Sequence, residues 1–88
     1  MTLDEWYEKN GFHYDGRSFL PGFYINPELG ISIKYELRNA VLRVFGDDIR
    51  YKCDALWLAD LKCPAVGDIP QETLDELNKF VVIRTLDK

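Results

Sequence analysis

Ile31, Ile33, Tyr35 and Leu37 alternate with Ser32, Lys34 and Glu36, and this period of two is the strongest constraint on what the chain can fold into. Successive side chains of a strand point to opposite faces, so the alternation describes a strand with one face buried and the other in water. Arg38-Asn39 reads as a turn, residues 40–45 (Ala-Val-Leu-Arg-Val-Phe) as a second strand, and Gly46-Asp47-Asp48 as a hairpin loop. Ile49, Tyr51 and Cys53 then alternate with Arg50 and Lys52 in a third strand. Three strands joined by short turns make an antiparallel meander over residues 31–53.

The flanks are less regular. Thr2-Leu3-Asp4-Glu5 fits a capping box, Leu3, Trp6 and Tyr7 share one helical face, and Gly11 can close the helix in the left-handed conformation. A short helix is therefore expected over about residues 3–10. Between Gly11 and Gly30, repeated Gly and Pro break up an aromatic stretch. There Phe19-Leu20 and Phe23-Tyr24-Ile25 read as short strands either side of a Pro21-Gly22 turn, and residues 26–30 as a turn. Residues 54–63 suit a helical turn capped by Asp54 and ended by Pro64, because Ala and Leu favour helices. A second helix begins near Pro70 and points Leu74 and Leu77 inward. Asn78 closes it, and the β-branched run Phe80-Val81-Val82-Ile83 reads as strand. The expected fold is α+β: an antiparallel sheet of about four or five strands, with a short N-terminal helix and a C-terminal helix on one face. A chain of 88 residues supports one core, so residues 1–88 form a single domain.

Composition narrows the function classes. An apolar fraction of 47% argues against a disordered tail. No apolar run approaches the ~20 residues of a membrane-spanning helix. Asp4, Glu5, Trp6 and Tyr7 stand where a signal peptide would carry basic and then apolar residues. Cys53 and Cys63 are too few for a disulfide framework, so both are expected to be reduced thiols in the cytoplasm. The net charge is −4 but unevenly spread: residues 31–52 hold five bases against three acids, between acidic flanks. Nucleic-acid binding by the molecule as a whole is disfavoured, since phosphates would meet net repulsion.

No catalytic constellation emerges. Neither Ser18 nor Ser32 sits in a nucleophile elbow, His13 is the one imidazole, and no phosphate-binding glycine loop is present. His13 and Asp15 form a two-ligand pair at most, better read as solvated loop residues, and no C-x-x-C pair offers a metal site. Asp47-Asp48 suits a turn, while Asp4-Glu5 and Asp75-Glu76 suit solvated helix faces. The chain is expected to be a non-enzyme without cofactor or metal.

Binding is the remaining class. With Ile31, Ile33, Tyr35, Leu37, Leu42 and Val44 turned inward, alternation turns Lys34, Val41, Arg43, Phe45, Arg50 and Lys52 outward. Bases interleaved with apolar side chains make a usable docking surface. Seven of the twelve aromatics fall within the first 24 residues, a second candidate surface if they are not consumed in packing. The expected function is a small non-catalytic interaction module that binds another macromolecule, a protein, with a second copy of the chain as one candidate. The alternative is an acidic inhibitor or nucleic-acid-directed accessory protein, acting through the strip Asp68, Glu72, Asp75 and Glu76.

Overall fold

A computed structural model describes residues 1–15, 23–46 and 56–86 of the chain. Helix α1 (Leu3–Asn10) is followed by strands β1 (His13–Asp15), β2 (Phe23–Asn26), β3 (Ile31–Glu36), β4 (Val41–Gly46) and β5 (Leu56–Lys62), and then by helix α2 (Gln71–Leu86). The strands form one antiparallel sheet in the order β1-β2-β3-β4-β5, each paired with its neighbour in the chain. The architecture is the expected α+β meander with a helix at either end.

The local signals explain the first helix. Glu5 donates its backbone N–H to the Thr2 hydroxyl, and the Thr2 N–H donates to the Glu5 carboxylate at 2.8 Å. That backbone hydrogen bond holds the Glu5 carboxyl below its ordinary range. Gly11 ends α1 at φ 78°, a conformation that strains any side chain with a Cβ. Gly46 serves a different need: a Cβ there would lie 2.6 Å from the Arg84 guanidinium, which lies over the end of β4.

Cross-strand partners share a face, so register divides the sheet. Tyr24 pairs with Ile33, Ile33 with Val44, and Tyr35 with Leu42, which pairs with Leu61. This face meets both helices. Trp6, Tyr7 and Leu77 pack into one core with Ile31, Ile33, Leu42, Val44, Cys63 and Ile69. Tyr7 stacks on Tyr24 with ring centroids 4.0 Å apart and planes within 7°. The helices meet where the Trp6 indole N–H donates to the Asn78 side-chain oxygen at 3.0 Å.

Four expectations are corrected. Residues 56–62 are strand, not a helical turn, because the open edge of β4 supplies a ladder that outweighs the helix preference of Ala and Leu. Asp54 lies outside the described residues, and so do Phe19-Leu20 and the strand expected at 49–53. Phe80–Ile83 continue α2, which runs on to Leu86, with Phe80 and Val81 packed against the core. Leu37 points to solvent at 74% exposure rather than inward, since it lies in the turn after β3. His13 and Asp15 belong to β1 rather than to a loop. Among the described residues no helix is long and apolar enough to cross a membrane.

Candidate functional site

The sheet face turned away from both helices gathers the sites expected from alternation. Ser32 pairs with Phe45, Lys34 with Arg43, and Glu36 with Val41, so Lys34, Val41, Arg43 and Phe45 share it. Arg50 and Lys52 lie outside the described residues. Through the next pairings the same face receives His13, Phe23 and Ile25 on one side and Trp57, Asp60 and Lys62 on the other.

This face has a packed part and an exposed part. Phe23 and Ile25 are buried and form a small second cluster with the half-buried Phe45. The rings of Phe23 and Phe45 lie 5.8 Å apart, and the Lys34 ammonium sits 5.9 Å from the Phe23 ring centroid. Phe45 is thus partly consumed in packing, not simply presented to solvent. Trp57, by contrast, is 56% exposed. Its indole N–H donates to the Asp60 carboxylate at 3.1 Å, which fixes how the ring is presented.

Trp57 was invisible to alternation because the ladder slips beside it. Val44 pairs with Ala59 but Phe45 pairs with Trp57, leaving Leu58 as the extra residue of a bulge. Leu58 packs against the main core while Trp57 stands on the opposite face. A Trp followed by an acid three residues later carried no signal strong enough to mark this position.

Charges on the face come in both signs. Lys34 and Arg43 stand opposite each other, a like-charge pair that Glu36 relieves through its carboxylate, 3.1 Å from the Arg43 Nε. Arg43 also stands opposite Asp60, and Lys62 follows on β5. The surface is a mixed one rather than a basic stripe.

The other expected features fall elsewhere. Trp6, Tyr7 and Phe12 are buried and pack on one another edge-on or tilted, so much of the aromatic N-terminal stretch is core. On α2, Asp75 accepts from Gln71 at 2.8 Å and Glu76 from Lys79 at 2.9 Å, ties that break up the acidic strip. Among the described residues no three His, Cys, Asp or Glu side chains converge as metal ligands. No protein-family model matches the chain, and neither a curated protein nor a solved structure matches it at a significant level.

Proposed function

We propose that the chain is a small non-catalytic binding module that receives a protein partner on the sheet face opposite its helices, at the β4–β5 side. The observation that carries this reading is Trp57, a large ring left 56% exposed and oriented by Asp60 beside the bulge of β5. Tryptophan brings large apolar area at small entropic cost and is enriched where binding energy concentrates. Arg43, Asp60 and Lys62 supply a polar rim of alternating sign, which suits the mixed surface of a protein better than a phosphate backbone.

Trp57 also provides the readout. Trp6 is buried at 2% exposure, so acrylamide quenching of tryptophan emission reports mainly on Trp57. Proteins captured from the native host and identified by mass spectrometry, then purified, are expected to protect that emission from quenching. Light scattering checks the case in which the partner is a second copy. Trp57→Ala, expected to cost about 0.2–1 kcal/mol through the lost cross-strand contact with Phe45 and so to leave the fold intact, should abolish capture or dissociate the dimer. Unchanged capture and unchanged mass in a folded Trp57→Ala variant would refute the reading.

A further inference from the structure

On the helix-bearing side, the first turns of α1 and the ends of β2 and β3 border an open cavity of about 320 Å³. Tyr7, Tyr24 and Tyr35 line it together with Leu3 and Leu37, and among the described residues Asp4 is the one charged residue in its wall. It lies away from Trp57 and is independent of the docking face proposed above. We propose that this cavity binds a compact quaternary ammonium group, held by the half-buried rings of Tyr24 and Tyr35 and by the Asp4 carboxylate, with Tyr7 stacked behind Tyr24.

Three observations support this. First, the wall combines aromatic rings with a single carboxylate, the chemistry that stabilises a poorly hydrated cation and repels an anion. Second, Tyr7 is only 3% exposed, yet its hydroxyl has no hydrogen-bond partner among the described residues, whereas the Tyr35 hydroxyl donates to the Cys63 carbonyl at 2.7 Å. That phenol oxygen is sealed inside the wall, so its partial negative charge acts from behind the lining rather than by contact. Burial pushes the Tyr7 phenol far above its ordinary range, so it stays neutral and does not compete with Asp4 for a counter-charge. Third, Leu37 stands 74% exposed at the lip, an apolar side chain with free surface to offer the alkyl groups of such a ligand. The volume lies at the small end of ligand sites, which favours a compact group over a large ring system.

The test compares choline with its uncharged analogue, in which carbon replaces the quaternary nitrogen, by amide chemical-shift titration at constant ionic strength. Choline is expected to shift Leu3, Tyr7, Tyr24 and Leu37 saturably, while the uncharged analogue moves them far less. Asp4→Asn, a change at an exposed helix position, should weaken choline binding about two- to fivefold, the range for an exposed charge contact. Tyr24→Leu should abolish it, and the shifts of the β3–β4 ladder will show whether that variant is folded. Equal binding of the two probes would overturn the cationic assignment. Absence of saturable shifts, or shifts centred elsewhere, would overturn the site.

Discussion

Tyr7 and Cys63 hold two ionisable side chains between α1 and the sheet in an environment that keeps their protons on. Both are buried, and desolvation pushes the phenol and the thiol above their ordinary ranges. The unfolded chain releases those protons near the ordinary values, about 8.5 for a thiol and about 10 for a phenol. Folding therefore takes up protons in alkali, so their contribution is fully present below about pH 8 and is lost as pH rises through these values. The melting temperature should stay level between about pH 6 and 8 and fall above about pH 9. In Tyr7→Phe the fall should be shallower. That variant also removes a buried hydroxyl with no partner, whose desolvation costs about 1–3 kcal/mol, so it should be at least as stable as the parent at neutral pH. A Tyr7→Phe variant that melts lower at neutral pH would show that the hydroxyl has a partner after all.

At the level of elements, β3 and β4 were legible because one face is buried more deeply than the other, and the alternation of Ile33 with Lys34 or Val44 with Arg43 records that directly. The start of α1 was legible because its cap is local. β5 was not, since its identity comes from the β4 edge it pairs with, and the bulge at Leu58 breaks the alternation that would have revealed it. The same bulge hid Trp57, so four residues of the candidate face could be read in advance and its most exposed ring could not. α2 failed for another reason: Phe80, Val81, Val82 and Ile83 are consecutive and point all round the helix, so no apolar stripe appears. Phe80 and Val81 meet the core, while Val82 and Ile83 are each 55% exposed. Val82→Ala tests this directly. At an exposed helical position it should stabilise by a few tenths of a kcal/mol, because Ala loses no side-chain freedom there. Loss of stability in denaturant melts would point to strand.

For the molecule as a whole, the meander is built from near neighbours and the helices close it from the two ends of the chain. Leu77 is 1% exposed at the centre of the helix–sheet core. Leu77→Ala should cost about 2–5 kcal/mol, as truncation of a buried leucine does. Hairpin contacts close short loops and helix docking closes long ones, so Leu77→Ala should mainly speed unfolding, whereas Leu42→Ala, within the β3–β4 hairpin, should slow refolding. Stopped-flow chevrons separate the two limbs, and equal effects on both would contradict this order. The bond from Trp6 to Asn78 spans 72 residues. On the ribosome, at about 5–20 residues per second, α1 is finished several seconds before the residues that cover it are made. During that interval Tyr7 can already stack on Tyr24, but the Trp6 indole still lacks its Asn78 partner. A chaperone holding the chain during synthesis would therefore find Trp6 uncovered, and α2 would displace it once made.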